Sequence, residues 1–111
     1  MEPSRIHELN KLAGEFCGLE LTEVGGAWLH TTKLCGVPHY RKWDPSDDHN
    51  DAAEVKAKLR EKECFYDCFW DRSKHHVNIK DEVCCLDVWG HDKSELIALL
   101  LAVEALGRDQ S

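Results

Sequence analysis

No apolar run in the sequence is long enough to cross a membrane. A helical span needs roughly 20 residues, whereas the longest candidate, Leu96 to Leu106, is shorter and contains Glu104. Positive charge is also scarce: 14 Lys and Arg stand against 21 Asp and Glu, a formal charge of −7. Nucleic acid phosphates and anionic membranes therefore repel the chain as a whole, and no direct nucleic acid or membrane partner is expected. The opening Met1-Glu2-Pro3-Ser4-Arg5 lacks a basic region, an apolar run and a small-residue cleavage site, so export is not expected and a cytoplasmic home is. There the 6 cysteines stay reduced. The CxxC and HxxxH metal spacings and the GxxxxGKS and GxGxxG phosphate loops are missing too, and Gly25-Gly26 alone reads as a turn.

What is there fits one domain, residues 1–111, with a modest core: 42% of the residues are hydrophobic. Ser4 is a candidate cap for a first helix whose apolar residues Ile6, Leu9, Leu12, Ala13 and Phe16 recur at three and four positions, with Gly18 ending it. Leu19 to Thr22 and Ala27 to His30 are short extended candidates, but Gly36-Val37-Pro38 predicts irregular chain, and the segment of about 22–45 reads as largely irregular. A second helix is predicted over Ala52 to Lys62. From Cys64 to Trp70 both sides of a strand are apolar except at Asp67, so the pattern asks for cover on both faces. A turn at Asp71 to Lys74 precedes strands around Val77 and Ile79 and over Glu82 to Val88, and such short connections favour antiparallel pairing. Asp92 with Glu95 resembles a capping box for a nearly all-round apolar helix from Lys93 to Leu106, stopped by Gly107.

The run Trp43-Asp44-Pro45-Ser46, then Ala53-Glu54-Val55 and Lys58-Leu59, paired strands, Leu96-Ile97-Ala98 and Ala102 to Gly107 resembles the phage ABA sandwich domain family. Ile6 to Gly14 is similar to that family's opening helix. The resemblance implies an α+β fold, a small three-layer α-β-α sandwich with a mainly antiparallel sheet, in a small protein of a bacteriophage or prophage. It implies no catalytic residues, and function has to be argued from the surface.

Metal and catalytic chemistry find little support. Cys64 and Cys68 would lie roughly 13 Å apart along a strand; Cys84 and Cys85 would point to opposite faces, with Cys17, Cys35 and His75-His76 as further zinc ligands from loops. Buried free thiols are the simpler expectation, and a zinc-binding structural module the alternative. Asp44, Ser46, Asp48 and Asn50 alternate as calcium ligands do, but His49 and Val55 replace the required glycine and glutamate, and helix capping explains the same residues. Cys35 with His39, or Cys68 with His76, are the conceivable nucleophile pairs, and neither has a third residue beside it. The chain is therefore expected not to be an enzyme.

Surface recognition remains. Trp28, Tyr40 and Trp43 are either binding anchors or a cover for one end of the sheet. Asp44, Asp47, Asp48, Asp51 and Glu54 offer a negative face to a basic groove. With the resemblance, this points to a non-enzymatic phage accessory protein that binds a host protein, such as a CRISPR effector or another defence complex. The alternative is a protein that sequesters a nucleotide signal, with Lys33, Arg41 and Lys42 on phosphate and the aromatics stacking on a base. An unpaired edge strand or the last helix would also suit a homodimer.

Overall fold

Gly25-Gly26 and Cys35-Gly36 each carry two consecutive positive φ angles, 59° and 79° in the first pair and 53° and 79° in the second. Two-residue hairpin turns require that backbone. The computed structural model describes the backbone of residues 2–110 and the side chains of 2–108. In it these turns join β1 (Leu21–Val24), β2 (Ala27–Leu34) and β3 (Val37–Trp43) into an antiparallel sheet of order β1-β2-β3. The segment read from sequence as irregular is thus mostly strand. Pro38 misled that reading; it sits on β3, an edge strand, where a missing N–H is tolerated.

Around this sheet run α1 (Pro3–Phe16) before it and α2 (His49–Glu61) after it, followed by β4 (Cys64–Trp70), β5 (His75–Asp81), β6 (Leu86–Asp92) and α3 (Glu95–Gln110). Strands β4 to β6 form a second antiparallel sheet in sequential order. The result is a mixed α+β sandwich with antiparallel sheets, as the sequence leads one to expect.

Local chemistry sets the boundaries. Pro3 takes the first position of α1, which its fixed φ suits, so Glu2 and not Ser4 stands at the cap. Asp48 caps α2 by accepting from the Asn50 N–H at 2.8 Å, which starts the helix ahead of Ala52. The cap of α3 is Ser94, whose Oγ accepts from the Ile97 N–H; Asp92 instead accepts from the Ser94 N–H. Gly107 does not stop α3, which continues to Gln110. Asp81 accepts from the N–H groups of Val83 and Cys84, so Glu82 to Cys85 is a turn and the last strand begins only at Leu86.

In the second sheet one face carries Cys64, Tyr66, Cys68 and Trp70 of β4, Val77, Ile79 and Asp81 of β5, and Leu86, Val88 and Gly90 of β6. Helix α3 lies on that face and touches α1 behind it, which is why Leu96, Leu99, Leu100, Val103 and Leu106 are all buried. Arg5 of α1 and Arg108 both donate to Glu104 of α3, tying the helices together. The Arg5 hydrogen bond, helped by Arg108, holds the Glu104 carboxyl below its ordinary value of 4.5. Because the folded value is the depressed one, this stabilisation is present above the unfolded-state value and fades as pH falls through the folded value. Glu104→Gln is expected to cost about 1 kcal/mol at neutral pH. Urea melts should show the variant and native chain converging in acid; a pH-independent gap would contradict the pairing.

Candidate functional site

The aromatic residues expected to bind a partner do not share a surface. Trp43 is 1% exposed, and its indole N–H donates to the Asn10 carbonyl at 2.8 Å. Trp28 is half-buried, stacked on His7 with ring centroids 4.5 Å apart and donating to the His7 carbonyl. Tyr40 is 63% exposed, but it pairs with Thr31, one step out of phase with the Trp28–Trp43 pair, and so emerges on the other face of the sheet. Covering α1 explains the two tryptophans, and Trp43 is unavailable to a partner.

The acidic group divides in the same way. Asp51 is 1% exposed; it accepts from Arg41 at 2.6 Å and from the Asp44 N–H at 2.9 Å, so it is a structural carboxylate. Asp44 accepts from the Asn10 side chain and from Ser46 Oγ, and Asn10 accepts in turn from the Ser46 N–H. That clasp fastens the start of the 44–48 turn to α1, and it was not legible in the sequence. Asp47, Asp48 and Glu54 are exposed, with Asp48 capping α2 and Glu54 accepting from Arg41. Capping and pairing account for Asp44, Asp48 and Asp51 without calcium.

Nor does a phosphate pocket form around Lys33, Arg41 and Lys42. Arg41 is held by Asp51 and Glu54, while Lys33 pairs with Pro38 on the outer part of the β2–β3 hairpin. A cleft of about 530 Å³ between α1 and the first sheet is lined by Lys42 together with Glu23 and Asp44, a poor electrostatic match for phosphate.

The conceivable Cys/His pairs are not assembled. Cys68 pairs with Val77, so its side chain leaves the sheet on the opposite face from His76. Cys35 is at the tip of the β2–β3 turn, where no hydrogen bond joins it to His39 among those the structure shows. Burial pushes the Cys17 thiol up to about 11, which keeps it protonated and unreactive at neutral pH. Cys84 and Cys85 lie exposed in the turn before β6 and not on a strand, while Cys64 is buried. No three described His, Cys, Asp or Glu residues are arranged to hold one metal ion.

The outer face of the second sheet is different. Cross-strand pairing arranges its side chains in three rows: Phe69, His76 and His91; Asp67, Asn78 and Trp89; Phe65, Lys80 and Asp87. The cover expected for both sides of β4 is absent on this outer face, and on the other face it reaches Cys64 and Tyr66 but leaves Cys68 and Trp70 exposed. Phe65 is 62% exposed, Phe69 50% and Trp89 45%. The rings are ordered against each other, Phe69 meeting Trp89 edge-on at 6.0 Å and His76 in a stack at 4.9 Å, with Trp89 stacked over His91 at 5.9 Å. Asp67 and Asp87 flank them and Lys80 is the cation among the rows, with Asn78 donating to Asp87. Exposed clustered aromatics of this kind, with Asp67 and Asp87 beside them, have the composition found in the cores of recognition surfaces. Alternation at Phe65 and Phe69 was visible in the sequence, but Trp89 and His91 were missed because the last strand was ended at Val88.

The molecule is thus an α+β sandwich whose second sheet carries clustered aromatics on an open outer face. Comparison with models of known protein families, with curated proteins and with solved structures finds no match.

Proposed function

We propose that the protein is a non-enzymatic binding protein whose open β4–β6 face docks onto a basic surface of a host protein. The observation that carries this reading is the exposure of Phe65, Phe69 and Trp89 on one ordered face bordered by Asp67 and Asp87. Large aromatics held in place supply contact area at low entropic cost, which is the chemistry of binding hot spots. A net charge of −7 favours a positively charged partner and speeds the encounter.

The resemblance of the 43–59 and 96–107 segments to the phage ABA sandwich family supports a narrower reading. On it the protein is a phage or prophage accessory factor in the bacterial host cytoplasm. It would inhibit a defence complex such as a CRISPR effector, whose guide channel is basic. The test is affinity capture of the tagged chain from host lysate at low and moderate salt, with proteins and released small molecules both identified. The expected result is one protein with a basic groove at stoichiometric yield, retained less well as salt rises. Recovery of a nucleotide with no protein would overturn the reading in favour of a sequestering protein.

A further inference from the structure

We propose that His76 and His91 form a two-histidine chelate for a late first-row divalent cation, with Asp71 orienting one of the rings. The two residues are direct partners across β5 and β6, so both side chains leave the same open face. Their Nδ1 atoms point at each other 2.6 Å apart, with the ring planes at 73°. On the far side of His76, Nε2 is hydrogen-bonded to Asp71 Oδ2. An ionised carboxylate only accepts, so that bond places a proton on Nε2 and leaves the lone pair of neutral His76 on Nδ1, facing His91. A carboxylate behind a histidine that turns its free nitrogen outward is the arrangement that orients and strengthens metal-binding imidazoles.

Three supports fix the pair before any ion arrives. Phe69 stacks on His76 and Trp89 stacks on His91, so each ring has an aromatic backing. Asp71 itself is pinned, because its Oδ1 accepts from the N–H groups of Ser73 and Lys74 and from the Ser73 hydroxyl. Without a cation, one hydrogen bond joins the two Nδ1 atoms, and in the tautomer that Asp71 selects His91 donates and His76 accepts. Cation binding replaces that bond with two N–metal bonds: the His91 proton moves from Nδ1 to Nε2 through solvent, and any extra proton on the pair is released. Metal–nitrogen bonds near 2.0–2.1 Å at a tetrahedral angle hold the nitrogens roughly 3.3 Å apart, so the rings need to open by only about 0.7 Å. His91 is exposed and has room to do so. Water fills the remaining positions, consistent with no third described residue reaching the ion. The site belongs to imidazole-preferring ions, with nickel and copper ahead of cobalt.

The test is titration of the full chain with Ni²⁺ by calorimetry and tryptophan fluorescence, with Co²⁺ absorption to identify the ligand atoms. One Ni²⁺ per chain is expected, with Trp89 emission quenched. The cobalt spectrum is expected to lack the near-ultraviolet thiolate band that cysteine ligands produce. His76→Gln and His91→Gln should each weaken binding by about 10-fold or more, and Asp71→Asn by about 10-fold. His75→Gln, on the opposite face of β5, and His49→Gln should change nothing. Circular dichroism confirms that the glutamine variants are folded; His91→Gln alters only an exposed residue and decides the matter if His76→Gln is damaged. Absence of Ni²⁺ binding, binding that survives His91→Gln, or a thiolate band would each overturn the proposal.

Discussion

Gly90→Ala is expected to destabilise the protein by about 3 kcal/mol or more, the upper end of the range for overpacking a core. The position has no unusual φ; the constraint is distance. A Cβ there would lie 2.0 Å from the Ala98 carbonyl oxygen and 2.5 Å from the Ala102 nitrogen. Both obstacles are backbone atoms of α3, so no side-chain rotation relieves them. Strand β6 and helix α3 would have to separate, and the burial of Val77, Ile79, Val88, Leu99 and Val103 depends on their contact. Ala98 and Ala102, both 0% exposed, show that the helix offers its smallest side chains at this crossing. Domains of this size have roughly 5–15 kcal/mol of total stability, so the variant is expected to melt roughly 10–20 °C lower or not to fold. Gly14 offers a contrast within the same molecule. Its Cβ would meet the end of the Leu21 side chain at 2.4 Å, which can rotate aside, and the Trp43 indole nitrogen at 3.0 Å, which has to give by a few tenths of an ångström; with no backbone in the way, Gly14→Ala should be milder than Gly90→Ala. Thermal melts followed by circular dichroism rank the two, and equal losses would contradict the packing described.

Trp43→Ala carries the second large effect, about 3–5 kcal/mol for emptying a buried indole site. Trp43 closes the first sheet against α1 and donates to the Asn10 carbonyl, while the Asn10 side chain holds the neighbouring Asp44 and Ser46. Truncation removes the filling and the anchor of that clasp together. Trp43→Phe should recover most of the loss, since it restores most of the volume and forfeits one hydrogen bond worth about 1 kcal/mol. Chemical denaturation measures both. A Trp43→Ala variant of near-native stability would mean that the indole is a surface anchor, as the sequence alone permits.

The helices and the second sheet were legible because their signals are local. Helical spacing in α1 and α2, the Asp71 to Lys74 turn and the apolar ring of α3 each occupy a short window, and each is found close to where it was expected. Boundaries failed where one polar side chain chose between neighbouring backbone groups: Ser94 over Asp92 at α3, and Asp81 tying back Val83 and Cys84 before β6. The first sheet was hidden because Pro38 and Gly36 speak against a strand, whereas the sheet edge and the left-handed turn that excuse them are properties of the fold.

The candidate site was the least legible part. An aromatic residue in sequence gives no sign of which element lies against it, so buried Trp43 and exposed Tyr40 looked alike. Phe65 and Phe69 showed the right alternation, and the inference that β4 is covered on both sides is sound for a central strand; β4 is instead an edge strand, packed by α2 on part of one face only. Asp71, His76 and His91 come together only once the β4–β5 turn and the β5–β6 register are fixed.

The most direct test of the open face as the binding surface is a capture comparison between the native chain and the double variant Phe69→Ser, Trp89→Ser. Both residues are exposed, so the variant should stay folded and keep its melting temperature within a few degrees. It should lose the captured partner at least 100-fold in affinity, the loss of roughly 3 kcal/mol that removing two hot-spot rings implies. A folded double variant that retains the partner at native affinity would contradict the assignment of this face.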